Sequence, residues 1–385
     1  MEKSNRMERF TGLTLGINPL FTLFATIYLS LFKTRGLLKK IKTDRTNLCF
    51  WLSLAISGLI SVILSVDQTV ALANYFIPFL FIWLYILGRW VIKDPVCFIQ
   101  ELIRGVAFLS LIAIIAKFFS IDCSIGSFRL LSKFTNGGRG EILYIADNGL
   151  GLFFQAGLVG AFGSLIIYWK EKRHLVENLV AFFLCAFGLV ITGSRGAMVG
   201  SLLAIIFLVI IKIRIIPLIG AGILSLILYF FSGERFVSAF QFKEHMTRIN
   251  IWKSCLKIIK DYPLFGVGPG IFGAVYERYK PDIFLAQNLN VTCAHSNYLT
   301  IFIGWGLVGG LIFWGWQLTV FIRTTIKGLT PFQRVIIAIL ISFYAHIAIN
   351  DLFAAYSGFL LGLIEHESFQ KSQTRTRYTE VREAM

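Results

Sequence analysis

Apolar runs long enough to cross a lipid bilayer recur along this chain, and they limit its fold more than any other feature. About eleven can be placed, near 12–32, 48–66, 70–88, 102–119, 148–169, 175–192, 196–212, 215–231, 297–322, 333–349 and 351–365, each close to the ~20 residues that a helical crossing needs. Of the 385 residues, 56% are apolar and 15% charged, against about 25% charged in soluble domains. The chain also carries 37 phenylalanines, more than a soluble core of this size would bury. A water-soluble domain, a disordered chain and a disulfide-rich miniprotein are excluded. The expected fold class is an all-α polytopic membrane protein of about 11–12 transmembrane helices. The first run is not expected to be a cleaved leader, since its apolar stretch is long and no small-x-small site follows it.

The formal net charge of +16 would suggest nucleic acid in a soluble protein. Here the basic residues sit mostly in short loops between apolar runs, so they report topology, and no nucleic-acid partner is expected. With the N-terminus outside, the inner loops hold Lys33, Arg35, Lys39, Lys40, Lys42 and Arg45, then Arg89, Lys93 and Arg104, and further clusters at 170–173, 212–214 and 323–334. The short outer loops at 66–69 and 349–351 hold no Lys or Arg. Lys3, Arg6 and Arg9 then lie outside, against the rule. A re-entrant first run, or one further crossing, would move them inside without changing later assignments. The chain divides into N-terminal spans over 1–231, with a short outer loop near 120–147, a large outer loop over 232–296, C-terminal spans over 297–365 and an inner tail over 366–385. Six cysteines show no CxxC pair and no metal-ligand spacing.

Both long loops, the hairpin around Arg195 and the start of the run at 297 fall on the outer face, so polar chemistry is expected there. In the first outer loop Asn136-Gly137-Gly138 signals a turn, and Arg139 follows among glycines. Arg139 is either a solvated basic turn residue or an anion contact, with Asn148 capping or lining a cavity at the next helix start. The second outer loop begins with an expected helix over 244–260, whose apolar face is Met246, Ile249, Trp252, Leu256 and Ile259. Such a helix lies on the bilayer surface or packs on the top of the bundle. Asp261-Tyr262-Pro263 stops it, and a glycine-rich turn over 263–270 follows. Those glycines make no dinucleotide fingerprint, because no strand–helix unit surrounds them.

Thr192-Gly193-Ser194-Arg195-Gly196-Ala197 joins two apolar runs with little loop to carry the guanidinium away from lipid. Arginine in hydrocarbon costs about 2.5–3.5 kcal/mol on insertion scales, and such residues usually face a cavity. Snorkelling to the headgroups is the alternative. His295 precedes the ninth run, as an interfacial anchor or as a base poised near neutral pH. His346 lies in an apolar helix, as a satisfied core histidine or as a lining residue alongside Asn350 and Asp351.

Taken together, these residues resemble the O-antigen ligase and polymerase superfamily of bacterial envelope glycan enzymes. The resemblance rests on Gly193-Ser194-Arg195-Gly196-Ala197, on Arg248 followed by Trp252, on Tyr262-Pro263-Leu264-Phe265-Gly266-Val267-Gly268, and on His295-Ser296 followed after nine residues by Gly306-Leu307-Val308-Gly309. The last pattern is similar to the ligase signature, and the likeness covers roughly residues 135–365. It implies a metal-independent, cofactor-free glycosyltransferase of GT-C-type architecture in the bacterial inner membrane, with its active site facing the periplasm. The donor would be a glycan on undecaprenyl pyrophosphate, and the acceptor a lipid A–core sugar. His295 would be the base, Arg195 and Arg248 the pyrophosphate ligands, and Arg139, Asn148 and Ser296 further substrate contacts. Inversion at the anomeric carbon is the expected outcome. An O-antigen polymerase, a protein O-oligosaccharyltransferase and a secondary transporter are the alternatives. The transporter lacks support, because no inverted repeat or matching pair of interrupted helices occurs.

Overall fold

The computed structural model describes residues 2–17, 26–27, 36–125, 128–131, 141–142, 145–168, 174–212, 222, 246–282, 284, 291–350 and 357–366. The architecture is all-α. Helices α1 (Glu2–Ile17), α2 (Leu37–Thr43), α3 (Arg45–Ile63), α4 (Gln68–Tyr75), α5 (Ile77–Trp90) and α6 (Pro95–Phe118) precede the first outer loop. Helices α7 (Asp147–Tyr168), α8 (Leu175–Thr192), α9 (Arg195–Lys212), α10 (Met246–Asp261), α11 (Phe272–Tyr276), α12 (Asn297–Ile326), α13 (Pro331–Ala348) and α14 (Ser357–Ile364) follow it. Among the described residues, seven helical segments are long and apolar enough to cross a membrane, with α4 and α5 counted as one, and α9 is a shorter apolar helix. The expected run at 215–231 falls, apart from residue 222, outside the described residues, as does much of 12–32.

Local sequence explains several helix starts. Asp44 and Asp94 cap α3 and α6 by accepting from the backbone N–H groups of Asn47 and Cys97. Thr330 and Gln333 form a capping box with Pro331 in the first turn of α13. The turn expected at 136–138 lies outside the described residues, and the residues around it carry four short antiparallel strands, β1 (Cys123–Ile125), β2 (Phe128–Leu131), β3 (Glu141–Ile142) and β4 (Ile145–Ala146), in sequential order. Strands this short leave little alternation to read in a sequence.

Helix α7 is the most buried of the seven spans and packs against α6, α8, α9 and α13. One end of the bundle is closed by buried ion pairs. Arg89 Nη1 lies 2.6 Å from Asp44 and 2.9 Å from Glu365, and Arg323 lies 3.2 Å from Glu365. Arg104 bridges Glu101 and Glu177 at the same end. This end carries the basic loops.

The ion pairs correct one expectation. Arg9 Nε pairs with Glu101 at 3.1 Å. Gly12 packs on the Phe98 carbonyl and Gly16 on that of Leu102, so α1 runs parallel to α6. The start of α1 therefore lies at the basic end, not opposite it. This is the alternative in which a re-entrant first run, or one further crossing, brings Lys3, Arg6 and Arg9 to the side of the basic loops. Close backbone approach through glycines is how helices associate without a hydrophobic driving force.

Helix α12 breaks at Gly306, which has φ 67° and ψ −174°. The segment 263–268 docks into that break. Leu307 and Val308 N–H donate to the carbonyls of Pro263 and Leu264 at 2.7 and 3.1 Å. Val267 and Gly268 N–H donate to those of Ile303 and Gly304 at 2.9 and 3.1 Å. Ser61 Oγ also donates to the Gly304 carbonyl, at 2.6 Å. A helix broken at membrane depth exposes backbone groups that water does not reach, and the inserted segment satisfies them.

Candidate active site

The site lies at the end of the bundle opposite the ion pairs, where α7, α9 and α12 begin and α13 ends. Three helix N-termini present N–H groups and positive dipole ends there, a setting that favours anions.

Gly193 ends α8 in the left-handed region at φ 59°, and Ser194 leads directly into α9, whose first residue is Arg195. The turn is fixed from both sides. Ser194 N–H donates to Thr192 Oγ1 at 3.3 Å, and Ser194 Oγ donates to Asn148 Oδ1 at 3.0 Å. Asn148 thus ties the start of α7 to the Arg195 turn. A Cβ on Gly196 would stand 2.6 Å from both Asn350 Nδ2 and His346 Cδ2, so only glycine lets α9 start so close to the end of α13.

The described residues between α9 and α12 build a second, smaller core over this end. Ile251, Cys255 and Ile258 of α10 pack with Val267, Ile271, Phe272, Val275, Tyr276, Val291 and Ala294, and with Val62, Ala71 and Ile303 of the bundle. The buried face of α10 is therefore Ile251, Ser254, Cys255 and Ile258. The expected apolar face is corrected in part: Met246 and Leu256 are exposed, Leu256 by 59%, while Trp252 and Ile259 are part-buried against this core. Helix α10 carries two apolar stripes, and periodicity alone did not identify the one that meets Val275 and Tyr276.

Arg248, in the first turn of α10, donates from Nη2 to Asn350 Oδ1 at 3.3 Å, while its buried Nη1 has no hydrogen-bond partner among the described residues. Burial lowers the Arg248 pKa, and the positive charge of Arg195 lowers it further, with Cys293 acting weakly the other way. Two guanidiniums that repel each other across a part-buried space, with no carboxylate among the described residues acting on Arg248, form a setting that an anion would relieve.

His295 sits beside them. Its backbone has φ 50°, an uncommon conformation for a residue with a Cβ. Trp252 Nε1 donates to the preceding carbonyl, Ala294 O, at 3.1 Å, and so clamps the turn. The Cys293 sulfur lies 3.7 Å from His295 Nδ1. Burial, then the nearby Arg248 charge, hold the imidazole below its ordinary pKa. It is neutral at pH 7 and able to accept a proton. Ser296 is the buried N-cap residue of α12, and its side chain makes no capping bond.

The structure thus brings Asn148, Arg195, Arg248, His295 and Ser296 to one end of the bundle. Arg139 lies outside the described residues, as does Asp351. His346 and Asn350 belong to this site more firmly than the sequence indicated. His346 is fully buried, with Nε2 3.3 Å from Ser194 Oγ and, among the described residues, no partner for Nδ1, which places it with the lining residues of this site. The sequence signal was a polar pair in register, His346 and Asn350, four residues apart at the end of an apolar run. A cavity also opens at the basic end, lined in part by Arg9, Glu101, Arg104 and His174, but its cations and carboxylates pair with one another.

Residues 180–314 match a family model, Wzy_C, described as O-antigen ligase. No curated protein matches the chain. The matched segment contains Arg195, Arg248, Trp252, the segment docked into the α12 break, and His295. It supports the resemblance to the O-antigen ligase and polymerase superfamily, whose members are membrane glycosyltransferase-like enzymes. It ends before His346 and Asn350.

Proposed function

We propose that this protein is an O-antigen ligase, a membrane glycosyltransferase that moves a glycan from undecaprenyl pyrophosphate to a lipid A–core sugar at the periplasmic face of the bacterial inner membrane. The observation that carries the reading is the mutual placement of Arg195, Arg248 and a neutral His295 at the end of the bundle away from the basic loops. Positive loops mark the cytoplasmic side, which supports an outward-facing site.

The chemistry follows from these groups. The acceptor hydroxyl attacks the anomeric carbon, and His295 takes its proton. The bond from that carbon to the phosphate oxygen breaks, and the electron pair leaves with undecaprenyl pyrophosphate. Arg195 and Arg248 hold the diphosphate and stabilise the charge that grows on it, aided by the helix N-termini. Attack opposite the leaving group inverts the anomeric configuration. Proton removal by a positioned base contributes about 10²–10⁴-fold. Arg139 and Asn148 complete the donor side in this reading, Ser296 contributes from the start of α12, and no metal or cofactor takes part.

The test is the lipopolysaccharide ladder of a deletion strain complemented with wild-type or His295→Ala protein. A ligase predicts full-length polymer accumulating on the lipid carrier when His295 is lost. Single repeat units, or a core carrying one unit, would indicate a polymerase instead. Unaltered glycan would contradict both.

A further inference from the structure

His346 and Asn350 stand four residues apart at the C-terminal end of α13, and each reaches a different guanidinium-bearing element. Asn350 Oδ1 accepts from Arg248 Nη2 at 3.3 Å. His346 Nε2 lies 3.3 Å from the hydroxyl of Ser194, the residue before Arg195. Both side chains are buried, and Gly196 packs directly against both.

The proton count fixes the direction of the second contact. Asn148 Oδ1 is an acceptor, so the Ser194 hydroxyl proton points to it, at 3.0 Å. The Ser194 oxygen can then only accept from His346, whose proton must sit on Nε2. His346 Nδ1, buried and with no partner among the described residues, is left as the bare nitrogen. The imidazole is a neutral donor held in one tautomer, and a relay runs from His346 through Ser194 to Asn148 across α13, α9 and α7.

We propose that His346 and Asn350 are positioning residues for the diphosphate site: His346 sets the turn that presents Arg195, and Asn350 sets Arg248. One helix end thereby fixes the spacing of two cations that would otherwise move apart. This rests on the reading of Arg195 and Arg248 as diphosphate ligands, and it assigns His346 no contact with substrate.

The experiment uses the full chain in nanodiscs, with farnesyl diphosphate as the binding probe, glycan transfer as a second readout and ¹⁵N-labelled histidine for spectroscopy. His346→Asn and Asn350→Ala are expected to weaken probe binding on the order of tenfold each. His346→Gln, which keeps a donor where Nε2 stood, is expected to bind close to wild type. Asn350→Ala should add nothing to Arg248→Ala, through which it acts, but should add to Arg195→Ala. The His346 ring should show the Nε2–H tautomer. His346→Gln binding as poorly as His346→Asn, an Nδ1–H tautomer, or full additivity of Asn350→Ala with Arg248→Ala would overturn the positioning roles while leaving the donor reading intact. Wild-type protein that fails to bind farnesyl diphosphate would overturn both. Should His346→Asn not fold, the glutamine variant and the tautomer spectrum still decide.

Discussion

Leu307 N–H donates to the Pro263 carbonyl at 2.7 Å, joining the second half of α12 to the segment that follows α10. The contact gives a structural meaning to two sequence patterns at once. The nine residues between Ser296 and Gly306 are the first half of α12, from its N-cap to its break. The glycine-rich stretch over 263–268 closes that break by backbone pairing rather than by holding a ligand. His295 is therefore set at a fixed distance from a joint that ties the outer core to the bundle.

Gly306 should tolerate no side chain. Its φ is 67°, and a Cβ would stand 2.2 Å from the Leu264 carbonyl oxygen, which is backbone and cannot swing away. Gly306→Ala is expected to cost at least about 1–3 kcal/mol, read as a lower thermal midpoint in detergent. An unchanged midpoint would mean that the joint carries no strain.

The pH dependence of transfer follows from His295. Burial, then Arg248, lower its pKa from 6.5. The base is therefore active at neutral pH and is lost only as the medium is acidified through the lowered value. Replacing Arg248 with methionine removes one cause of the shift, so the acid limb of kcat at saturating donor should move to higher pH. A limb that stays in place would assign the base elsewhere.

Arg195→Lys and Arg248→Lys test whether a planar fork is needed. Lysine keeps the charge but loses bidentate geometry. Each change should lower kcat/KM for the lipid-linked donor, approaching the about 10²–10³-fold seen when one preorganised charge-stabilising donor is removed. Equal activity in the lysine variants would reduce the two residues to a diffuse positive field.

Native cysteines report sidedness. Cys293 stands beside His295, and Cys97 lies in the first turn of α6 at the basic end. In single-cysteine proteins, a membrane-impermeant thiol reagent added to spheroplasts should label Cys293 and leave Cys97 unmodified until the membrane is broken. The reverse pattern would place the site in the cytoplasm.

Long apolar runs and charge asymmetry made the bundle legible from sequence, because hydrocarbon imposes helices and basic loops mark one side. Arg195 was legible for the same reason: a guanidinium with no loop to escape into must be accommodated. Arg248 came from motif resemblance, since a lone residue in a long loop carries no periodic signal. The inward face of α10 was misread because Leu256 and Ile258 are equally apolar, and only the packing of Val275 and Tyr276 chooses between them. The parallel run of α1 beside α6 was invisible because it depends on glycine contacts between distant segments. His346 was half-read: its helix was clear, but its partner Ser194 lies 152 residues away.

The most direct measurement of the account is glycan transfer by purified protein from an undecaprenyl pyrophosphate-linked donor to a lipid A–core acceptor, comparing wild type with His295→Ala. The account predicts that wild type releases undecaprenyl pyrophosphate and forms a linkage of inverted anomeric configuration, while His295→Ala stays folded, binds donor and transfers at least about a hundredfold more slowly. Transfer by His295→Ala at the wild-type rate, or retention of configuration in the product, would contradict it.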